Sequence, residues 1–307
     1  MQENNRQNRN SLVRKAAFIA LFGNLVLAGL KLFAGIKMQS LAVIGDGIDS
    51  STDVVIAILT LAVGFYINQP SDKKHPWGHR RAETIATLAL AFIIMYAGVQ
   101  LLLSAISQLR TGIYSELPKP TLLVVTGISI VGKIGLAINQ HLIGKKAKSA
   151  IVLANAKNMA NDIIISASVF VGIGLALLLR IPFLDPITAL LVSLWVINSA
   201  IGIFKDQNLE LMDGNADDEI YRSLFKAVTL TEGAANPHRA RIRRMAGSWD
   251  IDLDIEVNGN LTVREAHDIA EKVESEIRCL IPDVYDVVIH VEPDGKGEHK
   301  EQFGLCE

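Results

Sequence analysis

Six stretches of the chain are predominantly apolar for about twenty residues or more, over 16–35, 41–67, 84–109, 120–143, 151–179 and 186–204. A helix needs about 20 mostly apolar residues to cross a bilayer, so the pattern predicts six transmembrane helices. The second and fifth stretches are interrupted by polar residues. Beyond Lys205 the apolar runs stop and charge rises sharply. This pattern divides the chain into a polar tail (1–13), a membrane domain (14–206), a soluble domain (207–295) and a second polar tail (296–307).

The soluble part reads as a small α/β domain. A helix is expected over 217–228, capped by Asp217 or Asp218. Strands are expected over 238–245 and 249–257, around the turn Ala246-Gly247-Ser248. The second alternates strictly, with Trp249, Ile251, Leu253, Ile255 and Val257 on one face and Asp250, Asp252, Asp254 and Glu256 on the other. A helix over 262–279 is announced by Thr262 with Glu265 three residues on, the pattern of a capping box. A third strand follows over 285–291. The order α-β-β-α-β predicts an α+β domain of ferredoxin-like or metallochaperone-like type, an antiparallel sheet backed by two helices. The expected fold class is therefore a membrane α-helical domain of six spans followed by this α+β domain.

Composition agrees with a membrane protein. Half of the 307 residues are hydrophobic, and the net charge is −2, so bulk charge names no partner and no nucleic acid is expected. Cys279 and Cys306 fit neither a disulfide framework nor a thiolate metal motif. The Asn-rich start, MQENNRQNRN, is not a cleavable signal peptide. Orientation follows from Lys and Arg. One set of ends carries Arg6, Arg9, Arg14, Lys15, Lys73, Lys74, Arg80, Arg81, Lys145, Lys146 and Lys148, whereas the other carries Lys37, Arg110, Lys119 and Arg180. The richer side is expected to be cytoplasmic, with both termini there.

Three acids lie inside the second span, Asp46, Asp49 and Asp53. A carboxylate at mid-bilayer costs about 2.5–3.5 kcal/mol on the insertion scale, and such residues face an interior and mark function. Asp49 and Asp53, at i and i+4, share a helix face, with Asp46 near the same stripe. The fifth span repeats the spacing with Asn158 and Asp162. Two such pairs on facing helices supply four oxygen-bearing side chains around one point, which suits a hard or borderline cation such as Mn²⁺. The plainer alternative is that these acids pair with Lys31, Lys133 or Lys157 and hold helices together.

The run from Lys31 through SLAVIGDGIDSSTDV, the segment NAKNMANDIIISA and the loop DKKHPWGHRRAE together resemble the signatures of the cation diffusion facilitator family, in the right order and over about residues 12–295. The resemblance places Asp49, Asp53, Asn158 and Asp162 on the family's transport-site ligand positions, with Asp46 as a supporting acid. Zinc-transporting members usually carry histidine at one or both first positions. The all-oxygen set is most like the manganese branch, and Mn²⁺ has no strong preference for imidazole. Zn²⁺, Fe²⁺ and Co²⁺ stay open.

The resemblance implies further sites. Asp72, His75 and His79 match a second metal position in the loop, and the four-residue histidine spacing suits one metal on a helix. The alternative is that His79 packs at the start of the third span. His238, Asp254, His267, His290 and Glu292 match metal positions of the family's cytoplasmic domain, where metal would act as a regulator. The alternative is a solvated acidic face with incidental histidines. A homodimer is implied, joined mainly through this domain, with Arg81 and Asp213 as an interlocking ion pair at the dimer crossing.

The chain has no GxxxxGK[ST] run, so no nucleotide is expected, and it is not expected to be an enzyme. The expected function is efflux of a divalent metal by alternating access, with protons as counter-ion. Close carboxylates repel, so the empty site is expected to hold at least one proton, which metal displaces. A passive cation channel also uses acidic side chains. A membrane-anchored metal sensor would not need matched ligand pairs in its spans. An intramembrane hydrolase would leave the Asn158–Asp162 pair without a role. The lipid bilayer, in a prokaryotic inner membrane, is the expected location.

Overall fold

The computed structural model describes residues 2–67, 72–112, 117–147, 150–214, 218–245 and 248–295. The Asp217 cap, the Ala246-Gly247 turn, Lys148 and the tail 296–307 with Cys306 lie outside them. The chain forms two compact units, one of Met1–Gly64 with Ala86–Phe204 and the other of Phe65–Ile85 with Lys205–Glu307.

The long helices are α1 (Gln2–Lys37), α2 (Leu41–Ile67), α3 (Arg81–Thr111), α4 (Thr121–Ala147), α5 (Ala150–Leu179) and α6 (Leu184–Leu211). Among the described residues, five stretches, within α1, α3, α4, α5 and α6, are long and apolar enough to cross a membrane. The sixth expected span, interrupted by polar residues, falls on α2 (Leu41–Ile67), whose first half carries Asp46, Asp49 and Asp53. α1 also begins earlier than hydropathy suggests, because its polar first turns continue the helix.

The first unit has an apolar shared interior, with Val43, Leu90, Ile94, Leu122, Ile165, Val169, Val192 and Val196 among its members. Large apolar side chains such as Phe22, Ile93, Tyr96, Val131 and Leu178 point outward, as they do where the surrounding solvent is lipid. Small residues allow close approach. A Cβ on Gly45 would lie 2.7 Å from Leu101 and 2.8 Å from Val192, and one on Gly47 would lie 2.8 Å from Leu32. α2 thus sits tightly against α1, α3 and α6. Its N-terminus is held by Asp185 of α6, whose carboxylate accepts from Ser40 Oγ at 2.5 Å and Leu41 N at 2.9 Å.

The second unit contains α7 (Asp218–Leu230), β1 (Ala235–Met245), β2 (Ser248–Val257), α8 (Val263–Leu280) and β3 (Val284–Pro293). Thr262 caps α8 and Glu265 completes the capping box. Tyr221, Leu224, Val228, Val273 and Ile277 from the helices meet Ile251, Leu253 and Ile255 from β2 in one core. The sheet order is β1-β2-β3. β1 and β2 are antiparallel, but β2 and β3 are parallel. This corrects the expected all-antiparallel sheet. α8 forms a crossover that returns the chain to the same end of the sheet, which makes the joined strands parallel. The acidic face of β2 is also not simply solvated. Asp250, Asp254 and Glu256 are buried, beneath Arg243, Arg239 and Asn236 respectively.

Candidate functional site

The two polar pairs of α2 and α5 are brought together. Asn158 Nδ2 donates to Asp53 Oδ1 at 3.2 Å. Lys133, from α4, reaches Asp162 Oδ2 at 2.5 Å and Asp53 Oδ2 at 3.4 Å. The Lys133 side chain is completely buried. Asp53, Asn158 and Asp162 therefore form one polar centre. Asp49 lies one turn before Asp53 on α2, and its buried Oδ2 has no hydrogen-bond partner among the described residues. Lys133 entered the sequence reading only as a helix-pairing cation. Its sole local signal is a lysine inside an apolar span, which does not say which acids it meets.

Asp46 stands apart from this centre. Its Oδ1 accepts from Lys31 Nζ at 2.8 Å and from Ser166 Oγ at 2.8 Å. Lys31 also donates to Ser50 Oγ at 2.9 Å and Ser166 Oγ at 2.8 Å. Lys31 is 0% and Asp46 1% exposed, so this is a hydrogen-bonded buried ion pair joining α1, α2 and α5. For Asp46 the helix-pairing alternative is the one the geometry matches.

In the loop between α2 and α3, one ligand atom each of Asp72, His75 and His79 lies within 4.8 Å of the others. The two imidazoles do not lie on a helix, as their spacing suggested. A turn assembles them, closed by Gly78 N to His75 O at 3.0 Å with Gly78 at φ 76°. The ring centroids of His75 and His79 are 4.4 Å apart. Asp72 Oδ1 accepts from the backbone N–H of His75 and of Lys74, both at 2.7 Å. These bonds, led by that from His75, hold the Asp72 carboxyl below its ordinary range. His79 is buried, whereas Asp72 and His75 are exposed.

A second cluster forms on the sheet face opposite the helices. His238, Asp254 and Glu292 each offer a ligand atom within 4.8 Å of the others. His238 is paired with Asp254 across β1 and β2, and Asp254 with His290 across β2 and β3. Register shifts flank His238, with Asn236 and Arg239 in the left-handed region at φ 45° and 46°. Such bulges re-aim a side chain. The Glu292 carboxylate lies between two imidazoles, with His238 Nε2 at 3.3 Å and His290 Nε2 at 3.5 Å. His267 is not gathered with them; it lies on α8 beside Glu271 at 3.5 Å and is 69% exposed.

Arg81 donates to Asp213 Oδ1 and to the Glu210 carbonyl within one chain. Both side chains of the ion pair are partly exposed, and such pairs are worth about 0–1 kcal/mol.

Comparison with known proteins accounts for nearly the whole chain. Residues 17–212 match the cation efflux transmembrane domain, and residues 216–294 match the cation efflux protein cytoplasmic domain. The chain is 33% identical over 286 residues to the uncharacterized transporter YdbO of Bacillus subtilis, covering 91% of this chain and 95% of that one. It is 31% identical over 291 residues to the manganese efflux system protein MneP of the same organism, covering 93% and 97%. A solved structure, the metal-bound C-terminal domain of the CzcD transporter from Thermotoga maritima, is 39% identical over 26% of this chain and 93% of its own, with a TM-score of 0.25. Both parts of the chain, matched in order and over their length, belong to one protein: the chain is a member of the cation diffusion facilitator family of cation efflux transporters, which are membrane carriers and not enzymes.

Proposed function

We propose that this protein exports a divalent metal ion, manganese in preference to zinc, iron(II) or cobalt, in exchange for protons. The observation that carries the reading is the joined polar centre of α2 and α5, in which Asp53, Asn158 and Asp162 meet within an apolar helix unit and, among the described residues, no imidazole takes part. Asp49 completes the set with a buried oxygen open to a ligand. Four oxygen donors suit Mn²⁺, the weakest binder of the divalent series, better than they suit Zn²⁺. The similarity to a relative named for manganese efflux supports the same choice.

In this reading metal enters from the cytoplasm, and the Asn158 amide rotates to turn its oxygen inward. The helices then rearrange to open the site to the far side. Asn158 carries no exchangeable charge, so the carboxylates take up protons as metal leaves. Asp46 supports the site through Lys31 and is not a ligand. The clusters Asp72, His75, His79 and His238, Asp254, His290, Glu292 bind regulatory metal. The working form is a homodimer in a bacterial inner membrane, with both termini in the cytoplasm.

The test is transport by purified protein in liposomes, comparing Mn²⁺ and Zn²⁺ for the wild type and Asn158→His. Mn²⁺ transport by the wild type, with Zn²⁺ transport gained by the variant, is the expected result. A wild-type preference for Zn²⁺, or a preference that Asn158→His leaves untouched, would sink the manganese assignment.

A further inference from the structure

We propose that the Lys133 ammonium is a tethered stand-in for the transported cation, occupying the carboxylate gap between α2 and α5 when metal is absent and yielding Asp162 and Asp53 when metal enters. The inference rests on the reading of Asp53 and Asp162 as transport-site ligands.

Two buried lysines in the same helix unit make the contrast. Lys31 is held by Asp46, Ser50 and Ser166, at 2.8–2.9 Å. Three donors meet three acceptors, none of them needed elsewhere. Lys133 is as completely buried, yet the partners that hold its Nζ among the described residues are the candidate metal ligands themselves, Asp162 at 2.5 Å and Asp53 at 3.4 Å. It comes from α4, so neither ligand-bearing helix has to deform for it to leave. Its flexible four-carbon stem lets a point charge shift by ångströms at small cost.

Charge counting gives the role its purpose. Asp49, Asp53 and Asp162 bring three negative charges when ionised, and a divalent ion with Lys133 brings three positive ones. The ion therefore need only displace the ammonium from the carboxylate oxygens, not from the neighbourhood. A retained ammonium repels the bound metal and weakens its hold, and a carrier must bind loosely enough to release. In the empty carrier the same ammonium bridges α2 and α5, sparing the acids an unpaired buried state. Lys133 is thus a positioning and affinity-setting residue, not a ligand.

The experiment is Mn²⁺ and Zn²⁺ uptake by the full-length protein in proteoliposomes, with Lys133→Met, Lys133→Gln and Lys133→Arg beside Asp162→Ala. The neutral variants are expected to lower KM for the transported metal by about tenfold or more, since a like charge a few ångströms from the ion is removed. Their maximal rate is expected to fall as release slows, whereas Lys133→Arg keeps a KM no lower than that of the wild type. A structural role would lower the rate without tightening KM. A KM unchanged or raised in a folded neutral variant overturns the proposal, as does failure of both neutral variants to fold, which makes Lys133 a structural residue. Full uptake by Asp162→Ala would instead remove the site reading itself.

Discussion

Arg80 lies over the ring of Tyr285, 4.2 Å from its centroid, and its Nη1 donates to Ser248 Oγ at 2.7 Å. One side chain thus fastens the α2–α3 loop to the ends of β2 and β3. Arg243 adds a second clasp over Trp77 at 4.9 Å. A cation–π contact is worth about 0.5–2 kcal/mol and a hydrogen bond about 1 kcal/mol. Arg80→Ala is therefore expected to quicken amide exchange in the loop around Trp77 by about tenfold or more, with β2 and β3 unaffected. Unchanged exchange in the loop would mean that the clasp contributes nothing in solution.

Lys31 and Asp46 are expected to behave as one unit. Removing one partner of a buried pair strands the other charge, at about 3–5 kcal/mol, whereas replacing both by apolar groups is often neutral. Lys31→Met should lower the thermal midpoint of the detergent-purified protein sharply. The double variant Lys31→Met with Asp46→Leu should regain most of the loss. Equal, additive losses in the two single variants and their combination would show that the contact is not energetically coupled.

What could be read from the sequence was whatever repeats over one helical turn or one strand pleat. The i, i+4 pairs Asp49–Asp53 and Asn158–Asp162, the alternation along β2 and the Thr262–Glu265 box are all local patterns. Each is found in place, on α2, α5, β2 and α8. Partners chosen by packing were not legible. Lys133 is a lone cation on α4 until the fold brings α2 and α5 to it. The parallel pairing of β2 with β3 depends on where α8 crosses, and the bulges beside His238 depend on left-handed backbone at Asn236 and Arg239, residues that carry no glycine signal. The Arg80–Tyr285 clasp joins positions far apart in the chain, so no window along the sequence contains it.

At the loop cluster, the Asp72 carboxyl is expected to stay ionised as pH falls through the neutral range. The backbone N–H groups of His75 and Lys74 hold the Asp72 carboxyl below its ordinary range. A depressed carboxyl contributes its stabilisation fully above its unfolded value and loses it only as pH falls through the lower, folded one. Asp72 is therefore a carboxylate throughout the range from about pH 6 to 8. Asp72→Ala should weaken loop metal binding by a factor that stays constant across that range in calorimetric titrations. A factor that shrinks toward pH 6 would show Asp72 itself protonating there.

Within the soluble domain, Glu292 and His267 are expected to separate cleanly. Glu292 stands between His238 Nε2 at 3.3 Å and His290 Nε2 at 3.5 Å, with Asp254 in the same cluster. His267 is turned toward Glu271 on the exposed side of α8. A metal held by His238, Asp254 and Glu292 loses a charged ligand in Glu292→Ala, and its affinity should fall by about 10–100-fold, the scale seen even for groups that only support ligands. His267→Ala should leave the affinity within about twofold, because no cluster distance in the protomer depends on it. Isothermal titration of the full-length protein with Mn²⁺ and Zn²⁺, in an Asp162→Ala background that silences the transport site, separates these effects. If His267→Ala costs as much as Glu292→Ala, the imidazole must reach the cluster of a second copy, because the distances within one chain do not bring it there.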